Sequence, residues 1–201
     1  MAANYLPHTV TPAVVAAQER AYGKTRAVGP AVGRDSLDPD AAQFIAERDS
    51  FYFATINENG WPYIQHRGGP RGFLKILDQH TLGFADLRGN RQLLSTGNLA
   101  ANSRASLFLM DYPRRERLKI LGHARTFLTT DDPALAVRLT PPATAAAALV
   151  ERFVVIDIVA FDWNCPRYIT PRYTAEEIAQ VTQPLRDRIT DLEKQLAGRS
   201  H

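Results

Sequence analysis

Between residues 51 and 127 the chain alternates short runs of β-forming residues with turn signals, and few folds accept that pattern. Phe51-Tyr52-Phe53-Ala54-Thr55-Ile56 is followed by the turn Asn57-Glu58-Asn59-Gly60 and the return run Trp61-Pro62-Tyr63-Ile64-Gln65-His66, which together read as a hairpin. Pro62 has no N–H for a ladder, so the return strand begins at an edge. Further strands are predicted over 72–77, 81–85, 105–111, 118–127 and 152–161. The last contains Phe153-Val154-Val155-Ile156-Asp157-Ile158-Val159, close to continuously apolar and therefore read as buried. Six or more short strands with short turns predict a mainly β fold, a small closed barrel with helices at its periphery.

The helical signals lie outside that core. Thr11 as N-cap and Pro12 at the first helical position predict a helix running to Gly23. Residues 24–35, rich in Gly and Pro, read as an arm. A short helix is expected from Ser36 or Asp38, turning Phe44, Ile45 and Arg48 towards the body. Gln92-Leu93-Leu94-Ser95 reads as a helix interrupted by Gly97, Asp131-Asp132-Pro133 as the start of a helical insertion, and Ala143–Leu149 as a helix or a loop. Thr174-Ala175-Glu176-Glu177 is a capping box. It opens a C-terminal amphipathic helix with Ile178, Val181, Leu185, Ile189, Leu192 and Leu196 on one stripe. The expected organisation is an N-terminal helix and arm (1–35), a barrel domain (36–170) and a C-terminal helix (171–201).

Composition narrows the function classes. In 201 residues there is one cysteine, Cys165, so neither a disulfide framework nor a Cys-rich metal site is available. No apolar run has the length of a membrane span, and the first residues lack the pattern of a secretory signal. A cytoplasmic location without a membrane partner is expected. Net charge is +3 and the pI about 9.2, too mild to indicate nucleic acid. The five histidines (His8, His66, His80, His123, His201) show no metal-ligand spacing. Nucleophile-elbow, Walker and Gly-x-Gly-x-x-Gly motifs are absent from the sequence.

What stands out is two basic, glycine-bearing stretches: Gln65-His66-Arg67-Gly68-Gly69-Pro70-Arg71-Gly72-Phe73-Leu74-Lys75 and Asp86-Leu87-Arg88-Gly89-Asn90-Arg91. From Arg67 to Arg91 five cations (Arg67, Arg71, Lys75, Arg88, Arg91) face two acids (Asp78, Asp86). Guanidinium forks beside exposed backbone N–H groups suit a phosphorylated small molecule. The second stretch also runs into a helix N-terminus, whose partial positive charge favours an anion. A solvated basic surface would need the same residues, and composition leaves the two readings level.

Phe53–Tyr63, Phe84–Arg91, Asn98–Asn102 with its following strand, and Leu118–Ala124 together resemble the pyridoxamine 5′-phosphate oxidase-like, FMN-binding split-barrel family. Gln65–Pro70 and Asp162-Trp163-Asn164-Cys165-Pro166 are similar to a flavin-nucleotide-binding subfamily. The resemblance covers about residues 36–170. It implies a homodimeric split β-barrel flavoprotein with FMN in a groove between the subunits. By position it places Lys75, Arg88, Asn90 and Arg91 around the phosphate, Gln65, His66 and Arg67 beside the flavin ring, Arg117 near the ring's polar edge, and Asp86, Gly89 and Asn164 in the cofactor-binding set. The chain departs from true pyridoxamine phosphate oxidases where they carry Arg-Leu-His-Asp-Arg for the substrate. Here Asn164-Cys165-Pro166-Arg167-Tyr168 stands instead, so vitamin B6 oxidation is not expected. Two readings follow: an FMN-dependent oxidoreductase with a small-molecule electron donor or acceptor, or a carrier or sensor of flavin or haem without turnover. Nucleic-acid binding ranks last, because the cations are confined to two loops.

Overall fold

The computed structural model describes residues 4–140, 149–163 and 166–199. Seven antiparallel strands form one sheet: β1 (Ser50–Ile56), β2 (Pro62–Gly68), β3 (Lys75–Asp78), β4 (Thr81–Leu87), β5 (Arg104–Asp111), β6 (Glu116–Leu128) and β7 (Val150–Trp163). Their hydrogen-bonded order is β2-β1-β5-β6-β7-β4-β3. The helices are α1 (Tyr5–Thr9), α2 (Pro12–Tyr22), α3 (Pro39–Ala46), α4 (Leu94–Ala101), α5 (Pro133–Leu139) and α6 (Ala175–Arg199). Two compact units result, one of residues 1–111 with 116–165 and one of 166–201 with the turn 112–115.

In the larger unit the sheet curls on its own core. Phe51 and Phe53 of β1 are buried on one face and meet Phe84 of β4 at centroid distances of 5.3 and 5.9 Å, although three strands separate β1 from β4 in the sheet order. Phe73 stacks on Phe51 at 5.5 Å. The strand pattern is therefore barrel-like, as the hairpin signals predict. The sheet nevertheless stays linear, and β2 and β3 are its unpaired ends.

Local chemistry explains the elements. In the β1–β2 hairpin, Gly60 takes φ 81°, and the Asn57 carboxamide oxygen accepts from the N–H groups of Asn59 and Trp61 at 3.0 and 2.9 Å. Asp38 caps α3 by accepting from Ala41 N–H at 2.7 Å, with Pro39 at the first position. The buried run of β4 and β7 has a simple cause: both faces are covered. One face meets the barrel core, and the other packs Ala85, Phe153 and Val155 against Leu135 and Leu139 of α5.

The differences from the sequence reading are of extent. Helix α4 runs through Gly97 instead of stopping there, β3 starts later than expected, and the short helix α1 had no sequence signal. The Ala-rich call over 143–149 falls almost wholly outside the described residues. In the smaller unit, Thr174 and Glu177 form the capping box, the Thr174 N–H donating to Glu177 at 2.7 Å and the Glu177 N–H to Thr174 at 3.1 Å. Among the described residues no helix is long and apolar enough to cross a membrane.

Along the β6–β7 ladder, the register shifts between Leu121 and Gly122. A Cβ on Gly122 would lie 2.7 Å from the Asp157 carbonyl oxygen and 2.7 Å from Ile156 Cγ2. Backbone cannot yield as a side-chain tip does. Gly122→Ala is expected to destabilise the fold by about 1–3 kcal/mol, read as a lower urea midpoint with unchanged slope.

Candidate functional site

Both basic stretches reach one shallow depression, of about 50 Å³, in the larger unit. Its lining includes Tyr63, Gln65 and Arg67 of β2, Asp86 and Leu87 of β4, residues 89–93 of the following loop, Leu94–Thr96 of α4, and Glu151 and Arg152 of β7. The strand period sorts β2. Tyr63, Gln65 and Arg67 share the half-buried face and His66 the exposed one. His66 there sets its ring edge-on to Tyr52 at 5.9 Å.

The charges form an alternating chain. Arg67 donates to Asp86 at 2.5 Å, and Arg152 donates to the other oxygen of Asp86 at 3.1 Å. Arg152 also reaches Glu151 at 3.4 Å. Glu151 in turn accepts from Nε and Nη2 of Arg91 at 3.2 and 3.1 Å. Three arginines against two carboxylates leave one net positive charge. The inner end is nearly enclosed, with Asp86 7% exposed at its side chain and Arg67 and Arg152 16% each, whereas the Arg91 side chain is 63% exposed. The series of charges thus runs from an enclosed interior to an exposed outer arginine.

Two donor groups beside it are unspent. Arg67 Nε is buried without a partner among the described residues. The N-cap of helix α4 is Leu93, in the left-handed conformation (φ 56°) and without a side-chain cap, so among the described residues no side-chain acceptor covers the helix's first N–H groups. The preceding loop is held by Asn90, whose side chain accepts from Gln92 N–H at 3.1 Å, and by Arg91 at φ 58°. Ser95 of α4 donates to Gln65 at 3.3 Å, and Asn98 donates to Thr55 at 2.9 Å. These two bonds tie the helix start to β1 and β2. Open helix N–H groups next to an exposed arginine can receive an anionic group such as a phosphate.

The structure therefore brings together Gln65, Arg67, Asp86, Gly89, Asn90 and Arg91. It places four of the other sequence candidates elsewhere. Arg88 is exposed, and its backbone N–H donates to the Leu149 carbonyl at 2.7 Å. Lys75 lies half-buried on β3 opposite Gly83. Arg117 lies on β6 opposite Met110, its Nε buried without a partner among the described residues. His66 points away, as above. Asn164 lies outside the described residues. The sequence reading missed Tyr63, Glu151, Arg152, Ser95 and Thr96. Arg152 reaches the site because β7 pairs with β4 and sets it opposite Asp86, a register that no local motif announces.

A larger groove of about 640 Å³ is bordered by His8, Thr9, Ile56, Arg104, Leu121 and His123 among others. Among the described residues no cluster of His, Cys, Asp and Glu could hold a metal ion.

The sequence matches the pyridoxamine 5′-phosphate oxidase family over residues 37–152, more than half of its length, and the chain belongs to that family. Among solved structures, HupZ of Group A Streptococcus superposes with a TM-score of 0.51 at 12% identity, over 68% of this chain and 100% of that one. A single-residue variant of HupZ gives 0.51 at 13% identity, over 64% and 99%. A candidate pyridoxamine 5′-phosphate oxidase from Lactobacillus delbrueckii gives 0.49 at 19% identity, over 63% and 93%. At these identities the likeness is one of fold, the split β-barrel. No curated protein matches the sequence.

Removing the shared carboxylate tests the chain of charges. Asp86→Ala leaves the Arg67 and Arg152 guanidinium groups facing each other without it. The expected cost is towards the lower end of about 3–5 kcal/mol, because both arginines keep some solvent. Arg91→Ala should shift stability by less than about 1 kcal/mol, as its pair is exposed. Urea denaturation of the two variants reads both.

Proposed function

We propose that this protein binds FMN as a homodimer, with the flavin phosphate at the Arg67–Arg91 depression, and works as an oxidoreductase with a small-molecule electron donor or acceptor. The observation that carries the reading is the meeting, at one depression, of two basic stretches separated in sequence. Family membership supports it. The fit to a phosphate rests on the unspent donors: the uncapped start of α4, the unpartnered Nε of Arg67 and the exposed Arg91.

In this reading Arg91 is the arm that closes on the phosphate, exchanging Glu151 for it. The first amides of α4 receive the remaining oxygens, and Gln65 and Ser95 hold that helix start in place. The Asp86 carboxylate keeps Arg67 and Arg152 fixed, so they need not be ordered when the ligand arrives. Bound FMN would supply the electron transfer, and the protein's share is binding, orientation and charge. Pyridoxamine 5′-phosphate is not the proposed substrate, because the residues that hold it in true oxidases are replaced at 164–168.

Titration of the purified protein with FMN and with riboflavin tests the phosphate site. FMN should bind at least about tenfold tighter, and Arg91→Ala should remove most of that advantage, since a charge-assisted bond contributes on the order of 1.5–3 kcal/mol. Arg88→Ala should matter less, its side chain being outside the depression. Equal affinity for the two flavins would overturn the assignment. Bound flavin that no nicotinamide nucleotide or other donor reduces would favour a carrier over an enzyme.

A further inference from the structure

Within the smaller unit, helix α6 carries an apolar stripe that no other element of that unit covers. Ile178, Val181, Leu185, Ile189, Leu192 and Leu196 are all between 41% and 74% exposed. Over 25 residues the helix spans about 37 Å, too long an exposed stripe to be a scatter of surface residues. Its pattern says what kind of surface covers it. From Thr182 the spacing follows a heptad: Thr182, Ile189 and Leu196 fall at position a, and Ile178, Leu185 and Leu192 at position d. The first two a residues are β-branched, and two of the three d residues are leucine. That combination favours a parallel two-stranded coil.

The rest of the helix agrees. Thr182 turns its hydroxyl back to the Ile178 carbonyl at 2.8 Å, which satisfies the one polar group on the seam. Pro184 falls at position c, on the outer side, where it leaves the seam clear. On that outer side Gln183 donates to Asp187 at 2.8 Å, so those side chains are engaged within the helix. Arg188 and Glu193 flank the seam at positions g and e, and neither has an ion-pair or hydrogen-bond partner among the described residues. Five residues apart, they cannot meet within one helix. In a parallel pair each Arg188 lies beside the other copy's Glu193, twice by symmetry. An antiparallel pair with the stripe fully overlapped would instead set Arg188 against Arg188 and Arg186 against Arg186.

We propose that α6 is a dimerisation helix, which pairs in parallel and in register with α6 of a second copy of this chain. The proposal rests on the helix alone and stands or falls independently of flavin binding. It assigns the interface to a definite segment, with Ile189 facing Ile189 across the two-fold axis.

Cysteine cross-linking in the full-length protein tests it, in a Cys165→Ser background. Under mild oxidation Ile189→Cys should give a covalent dimer in most of the protein. A mixture of Leu185→Cys and Ile189→Cys chains should give little mixed dimer. Arg188→Glu should lower the cross-linked fraction of Ile189→Cys about fivefold at low salt, and adding Glu193→Arg should restore it. Mixed dimers without Ile189 self-linkage would mean an antiparallel pair. Absence of both products would mean that the stripe is covered by something else. Either result overturns the proposal. FMN content measured on the same samples reports the flavin reading separately, because neither position lies near the depression's residues in sequence or compact unit.

Discussion

The Asp86 carboxylate, set between the guanidinium groups of Arg67 and Arg152, joins parts of the sheet that no ladder joins. Arg67 lies on β2, at one end of the linear strand order, and Asp86 on β4, next to the strand at the other end. Aromatic packing of Phe51, Phe53 and Phe84 brings the two sides close, but it is non-directional. The ion pair at 2.5 Å fixes which residues meet. It also places Gln65 and Tyr63, on the same face of β2, against the loop that leaves β4. Fold closure and the candidate site thus depend on the same three side chains. A change that perfects one acts on the other.

Much of this was legible in the chain. The Asn57–Gly60 turn, the Asp38-Pro39 and Thr11-Pro12 helix starts and the Thr174–Glu177 capping box are local signals, settled by neighbours in sequence, and they appear where they were read. The two basic stretches were also visible as site candidates. What could not be read was which of their residues meet. His66 and Arg67 look equivalent in a string, yet the two-residue strand period sends them to opposite faces. Lys75 and Arg88 belong to the right stretches but sit on other surfaces. Glu151 and Arg152 carry no motif and enter through the β4–β7 register. Helix α4 continues past Gly97 because Asn98, through Thr55, and buried Leu99 tie it to the barrel. Tertiary contacts there outweigh a propensity cost of about 1 kcal/mol.

The charges also qualify the first impression of a basic pocket. A count along the sequence gives five cations to two acids. In the folded site Arg67, Arg152 and Arg91 are each matched to a carboxylate, and the surplus is a single charge. Such a site avoids holding several like charges together before a ligand arrives. It also concentrates exchangeable binding capacity in one residue, Arg91, whose partner Glu151 is the easier to displace because the pair is open to water.

The linear strand order has a consequence for motion. β2 has a single ladder neighbour, β1, and its other edge is held to the body by side chains. Detaching it breaks one ladder only, whereas freeing β5, β6 or β7 breaks two. Amide hydrogens of 63–68 therefore belong to a lower-energy opening unit than those of the central strands, even though Gln65 and Arg67 lie in the site. A ligand that bridges β2 to the start of α4 would act as a clasp on that unit. Occupancy would then appear as slowed exchange along β2, by an amount set by ligand concentration relative to its dissociation constant.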